Sequence, residues 1–155
     1  MQATKPDFSY TQSDISSANP TRIQIRVGNI QLAAVLEEFA APKTCAIFRS
    51  LLPLCAQLIH CRWSGESMWV PLTQPSIHAG PENQTNHPAP GQVLFYSSPG
   101  FGEPEILIPY GTCSFSSKDG PLAGNHFLTI TEGVEGLRQL GHDALWDGAK
   151  TIVFG

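Results

Sequence analysis

Residues Gln57 to Val70 read QLIHCRWSGESMWV, and their alternation decides what kind of fold this chain can form. Ile59, Cys61 and Trp63 fall on one side and Leu58, His60 and Arg62 on the other, the two-residue period of a half-buried strand. With the first face buried, His60 and Arg62 lie on the opposite one. Ser64-Gly65 breaks the run, and Ser67 to Leu72 reads as the return strand, with Pro71 placing its end at an edge because it has no N–H to give. Glu66 follows the turn directly, so basic and acidic groups are held close together beside two indoles, Trp63 and Trp69.

The chain has 155 residues, the size of one domain with one continuous core. Hydrophobic residues make up 41% and charged residues only 14%, and the 14 glycines and 13 prolines imply many turns, so a mainly β protein is expected. The formal charge of -4 and the lack of any basic run argue against a nucleic-acid partner. Residues 1–20 are polar, without an apolar signal region, and are expected to form a flexible arm ahead of one domain over 21–155. No window resembles a membrane span, so no membrane partner and a cytoplasmic location are expected. Cys45, Cys55, Cys61 and Cys113 have no paired spacing and read as reduced, mostly buried thiols.

Upstream of the central stretch, Ile23, Ile25 and Val27 alternate, and Ile30, Leu32, Ala34 and Leu36 alternate again after Gly28-Asn29, which predicts a hairpin. Pro42 opens a helix, since its missing N–H is not needed in the first turn. Phe48, Leu51, Leu52 and Cys55 have the spacing of its buried face, and Pro53 ends it near Leu52. Downstream, 73–90 is a long proline-rich loop without periodicity, closed by a turn at Pro90-Gly91. Strands follow at Val93 to Tyr96, at Glu105 to Ile108 closed by Pro109, and from His126 to Ile130. In the last of these His126, Leu128 and Ile130 share one face and Phe127 and Thr129 the other. Val134, Leu137 and Leu140 mark a short helix capped by Gly141, and Thr151 to Phe154 a terminal strand.

Among residues able to do chemistry, Arg62 is the natural anchor for a carboxylate or carbonyl, because its planar fork stays charged and bonds bidentately. Glu66 reads either as a general base or as the ion-pair partner of Arg62. His126, alone at a strand start, has a weaker case. The five histidines show no metal-ligand spacing, so no metal is expected. Nucleophile-elbow, P-loop and dinucleotide-binding motifs are absent, and no cofactor is expected.

Ala41-Pro42-Lys43-Thr44, Phe48-Arg49, Leu51-Leu52, His60 and Arg62 together resemble the cyclophilins, and Pro90-Gly91, Leu122-Ala123-Gly124-Asn125-His126 and Glu132-Gly133 follow in the same order. A closer resemblance, carried by HCRWSGESMWVPL, ENQTNHPAPGQVLFY, EILIPYG and LAGNHF, is to a microbial cyclophilin-like family of unknown function. It implies a closed cyclophilin-like β-barrel with two short helices, one at each end. Carried over residue by residue, the cyclophilin arginine falls on Arg62, one residue nearer Gly65 than in the family pattern, and the pocket histidine on His126. The apolar proline-pocket residues become Glu66, Ser67 and Trp69, and the tryptophan before Leu122 becomes Pro121. These replacements turn the expectation from proline peptides toward a small ligand with hydrogen-bonding groups.

The expected function is therefore binding, with or without transformation by an isomerase- or lyase-type step, of a small carboxylate- or amide-bearing molecule. Arg62, Glu66 and His126 are assigned to the chemistry, and His60, Trp69, Tyr110 and Asn83 to holding the ligand, with the 73–90 loop as a lid. The alternatives are a peptidyl-prolyl isomerase and a non-enzymatic assembly module whose strand edge or arm meets a partner chain, a second copy included.

Overall fold

The computed structural model describes residues 19–74, 76–100 and 103–155. The expected arm at 1–20 lies, apart from its last two residues, outside the described residues. The chain starts with β1 (Arg22–Val27) and β2 (Ile30–Leu36), then α1 (Pro42–Ser50), β3 (Leu54–His60) and β4 (Gly65–Pro71). Next come β5 (Gln84–Thr85), β6 (Gln92–Tyr96), β7 (Glu105–Cys113), β8 (Ser116–Ser117) and β9 (Gly120–Pro121). After β10 (Gly124–Glu132), a 3-10 turn at Val134–Gly136 leads into α2 (Leu137–Asp147), and β11 (Lys150–Phe154) ends the chain. No helix among the described residues is long and apolar enough to cross a membrane.

Strand order is β2-β1-β11-β3-β4-β7-β6-β10, and β10 pairs back onto β2, which closes eight antiparallel strands into a barrel. β5 adds to β10, and β8 and β9 form a separate small hairpin. The predicted hairpin is β1–β2, with Val27 opposite Ile30 and Gly28 at the positive φ of 56° that the tight turn requires. β11 lies between β1 and β3, so the terminal strand is part of the closed wall.

The barrel interior is filled with apolar side chains. Phe48 of α1 packs on Phe127 and Phe154 with ring centroids 5.0 and 5.5 Å apart, and Leu137, Leu140 and Ala144 of α2 join the same core. The core thereby accounts for the two helices the resemblance implied.

Local expectations fail where tertiary pairing competes with propensity. The α1 stripe ends early: the helix stops at Ser50, Leu51 and Leu52 are half-buried, and Cys55 is exposed on β3. Pro53 restricts Leu52 and cannot donate, while Leu54 is already paired with Phe154. Cys45 and Cys113 are buried, but Cys61 is only half-buried. In β3 the buried face is that of Leu58, not that of Trp63, because regular pairing ends at His60 and the chain then bends.

Pro109 does not close β7, which runs on to Cys113. A bulge sets Gly65 opposite Cys113 but Ser67 opposite Pro109, so the ladder is already irregular where Pro109 lacks its donor. Pro71 is on no edge strand, but it lies beyond the last residue pair of β3 and β4. In β10 a register shift between His126 and Leu128 puts both Phe127 and Leu128 in the core.

Gly141 is not a cap. It lies inside α2, where an added Cβ would come within 2.2 Å of the Tyr110 ring, so close packing explains the glycine. Helix α1 has no capping side chain at Ala41. Its start is capped from the distant loop by Glu82, which accepts hydrogen bonds from Lys43 N at 3.1 Å and from Thr44 N and Oγ1 at 2.9 and 2.8 Å. Burial pushes the Glu82 carboxyl up, but the Thr44 and Lys43 hydrogen bonds together outweigh it and hold the group below its ordinary value.

Two substitutions test this frame. Gly141→Ala should destabilise by roughly 1–3 kcal/mol in urea unfolding through overpacking, although alanine is the better helix former. Glu82→Gln should lose about 1 kcal/mol, the usual scale of a helix cap. Because the folded Glu82 pKa is depressed, that loss is full above the unfolded carboxylate value and vanishes as pH falls through the folded one.

Candidate functional site

Strands β3, β4, β7 and β6 show two faces. Met68, Val70, Ile106, Ile108, Val93 and Phe95 point into the barrel. The other face carries Ile59, Trp69, Leu107 and Leu94 in one cross-strand row, since Ile59 is opposite Trp69, Trp69 opposite Leu107 and Leu107 opposite Leu94. Two residues along β7, the adjacent row has Glu105 between Pro71 and Tyr96. Ile59 and Trp69 of the first row and Glu105 and Tyr96 of the second form the floor of a cavity of about 900 Å³ on the outside of the barrel, while Leu107 and Leu94 are buried in a cluster with Cys113 and Phe115.

The segment from Ser116 to Leu122, which includes the β8–β9 hairpin, forms one wall. Phe115 is buried against Tyr96 with ring centroids 5.5 Å apart. Asn86 of the long loop donates to the Phe115 carbonyl at 2.7 Å and also to that of Leu122. Ser64 Oγ accepts from Ser116 N and donates to Ser116 O, each at 3.1 Å. The bend from Cys61 to Ser64 forms the facing rim and brings Arg62 and Trp63 to the cavity.

Charge is spread around this apolar floor. Arg62 and Lys118 are the cations of the lining and Glu103, Glu105 and Asp119 the anions. Neither Arg62 nor Glu105 makes an ion pair or side-chain hydrogen bond among the described residues. Burial without a partner pushes the Glu105 carboxyl up to about 7. Cys61, also in the lining, is pushed up to about 12, chiefly by burial, and burial raises Cys113 too, so neither thiol has the character of a nucleophile. Ser67, fully buried beside these thiols, has no hydrogen-bond partner in good geometry.

Of the seven residues expected at one site, Arg62, His60 and Trp69 line this cavity and the other four do not. Glu66 is on the opposite side of the Ser64-Gly65 break, folded against Gly111, with Oε2 3.1 Å from Arg138 Nη2 of α2. Its ion-pair partner is thus Arg138 and not Arg62. Tyr110 packs under α2 and reaches the site only through His60, whose Nε2 accepts from the Tyr110 hydroxyl at 2.6 Å while Nδ1–H donates to the Cys61 carbonyl at 2.8 Å. Burial, then the Glu66 charge, raises the Tyr110 pKa.

His126 lies elsewhere, with Nε2 2.8 Å from Thr129 Oγ1, and the Thr129 hydroxyl donates to Glu37. Burial lowers the His126 pKa against the opposing pull of Glu37. Asn83 donates to the His126 carbonyl at 2.9 Å and does not reach the cavity. The 73–90 loop is tied to α1 through Glu82 and to β10 through Asn83 and Asn125, so it is no free lid.

Sequence reasoning missed Glu105, in the cavity floor, and Asn86, which holds the segment that forms its wall. The signal for Glu105 was present in EILIPYG, where a carboxylate shares the outer face with Leu107 while Ile106 and Ile108 take the inner one. Asn86 had no local signal, since its partners are 29 and 36 residues away.

No curated protein matches the chain. Among solved structures, McbB, determined in complex with tryptophan, superposes with a TM-score of 0.68 at 17% identity over 85% of this chain. The chain spans 43% of the length of that McbB chain. The hypothetical protein AF2241 from Archaeoglobus fulgidus superposes with a TM-score of 0.56 at 18% identity, over 87% of this chain and 93% of its own. The shared feature is the barrel fold, which is the cyclophilin-like one the sequence implied. Residues 23–155 match the family model described as "Protein of unknown function (DUF3830)", and the chain belongs to that family.

Proposed function

We propose that this protein binds a small organic molecule bearing a carboxylate or amide in the outer cavity, with Arg62 as its anchor. The observation that carries this reading is a guanidinium, unpaired among the described residues, on the rim of a cavity of about 900 Å³ whose floor includes Trp69 and Ile59. An apolar body fits against that floor while Arg62 takes the anionic or carbonyl end. Glu105, titrating at about 7, suits a proton-transfer step on a molecule held there. Glu66 and His126, first assigned to that step, have no part in this reading. McbB was determined with tryptophan, itself a carboxylate with a flat apolar body, which supports a ligand of this kind on this fold.

Proline-peptide isomerisation draws less support. His126 lies away from the cavity, and a buried carboxyl stands in the floor where an apolar proline pocket is needed. No acceleration of proline-peptide isomerisation is expected at high protein concentration, and clear acceleration would reverse the order of the two readings.

Thermal shift with small aromatic carboxylates and amides tests the main proposal. A ligand at a hundredfold excess over its Kd should add about 2.7 kcal/mol of stability. Arg62→Ala should weaken carboxylate binding by roughly tenfold or more, the scale of a hydrogen bond to a charged group. Unchanged affinity in that variant, or no shift with any compound, would sink the assignment.

A further inference from the structure

Resting on the small-ligand reading, the placement of two charges that have no partner among the described residues, Arg62 and Glu105, narrows the ligand class. Glu105 stands opposite Pro71, at one end of the apolar floor. Arg62 lies just past Cys61, whose N–H donates to the Ser67 carbonyl at 2.9 Å, so it belongs to the other end of β4. From Ser67 to Pro71 is four residue steps, roughly 13 Å of strand at about 3.3 Å each. Side chains reaching inward shorten this span, but they leave Trp69 between the two charges.

A carboxyl stripped of water and given no donor is costly, and a cation brought by the ligand would supply what the protein omits. We propose that the ligand is an extended zwitterion, with an amine and a carboxylate held apart by a flat or apolar spacer, in which Glu105 receives the ammonium group and Arg62 the carboxylate. The spacer lies on Trp69 and Ile59.

Other groups facing the cavity bear on the pH dependence. They are His60 at the end of β3, Cys61 of the bend, Tyr96 on β6, Glu103 before β7, and Lys118 with Asp119 at the tip of the β8–β9 hairpin. Glu103 and Asp119 offer rival carboxylates for the amine, but both are exposed, whereas Glu105 is set into the floor.

The test compares 4-(aminomethyl)phenylacetate with 4-methylphenylacetate, which keeps the carboxylate and ring but has no amine, by calorimetry on the whole protein. At pH 8 the amine compound should bind at least about tenfold more tightly, the scale of a hydrogen bond between charged groups. Glu105→Gln should abolish that advantage and leave the methyl compound bound at least as well, while Glu103→Gln and Asp119→Asn should keep it. The advantage should shrink from pH 8 to pH 6 as Glu105 takes up a proton, and L-phenylalanine, with both charges on one carbon, should show less of it.

Equal binding of the two phenylacetates at pH 8, or loss of the amine's advantage in Glu103→Gln but not in Glu105→Gln, overturns the proposal. An advantage for L-phenylalanine over 3-phenylpropanoate as large as that of the extended amine overturns the separated-charge geometry. These results leave the small-ligand reading standing. That reading fails separately if 4-methylphenylacetate does not bind, or binds Arg62→Ala as well as the wild type.

Discussion

Pairing of β10 back onto β2 is the interaction on which the rest of the molecule depends. Val35 opposite Thr129 and Leu36 opposite Leu128 join the first strands to one near the end of the chain, and the eight-strand wall then has no open edge. Closure forces each strand to show one face to a sealed interior. Phe48, Phe127 and Phe154 help fill that interior, and the cavity of about 900 Å³ lies on the outside of the wall. The period of two along β4 therefore serves both purposes, with Met68 and Val70 inside and Trp69 outside.

The outer site depends on segments that are not part of the barrel. The hairpin wall is held by Asn86 and Ser64, through backbone atoms that would otherwise face away from any strand ladder. What results is an apolar floor with a carboxyl set into it and a guanidinium at its rim. Glu105 is poorly solvated in the folded protein and has no partner among the described residues, an arrangement that burdens folding and favours a bound cation or proton. On the far side of the same wall, Glu66, Arg138 and Tyr110 tie α2 to the barrel, and the His60–Tyr110 hydrogen bond joins that cluster to the bend that carries Arg62.

Similarity to McbB and AF2241 at 17% and 18% identity reflects how little of a sequence a barrel constrains. Inward positions must be apolar and turns must be possible, but outward positions are free to differ. Chemistry therefore has to be read from this chain's own cavity and not from the fold it shares.

The sequence by itself determined the mainly β class, the β1–β2 hairpin and the start of α1, because alternation, turn residues and a proline in a first turn act locally, and it singled out Arg62 and Trp69, which both line the outer cavity. The resemblance carried by its motifs supplied the barrel. Only the tertiary structure decided which expected residues meet. Glu66 and Arg62 are four apart in sequence, yet the break at Ser64-Gly65 and the bulge opposite it send them to different sides of the wall. His126 is held by Thr129 and Glu37, and Glu105 enters the site because β7 pairs between β4 and β6. These placements follow from strand pairings between residues tens of positions apart, and local periodicity carries no record of which strands will become neighbours.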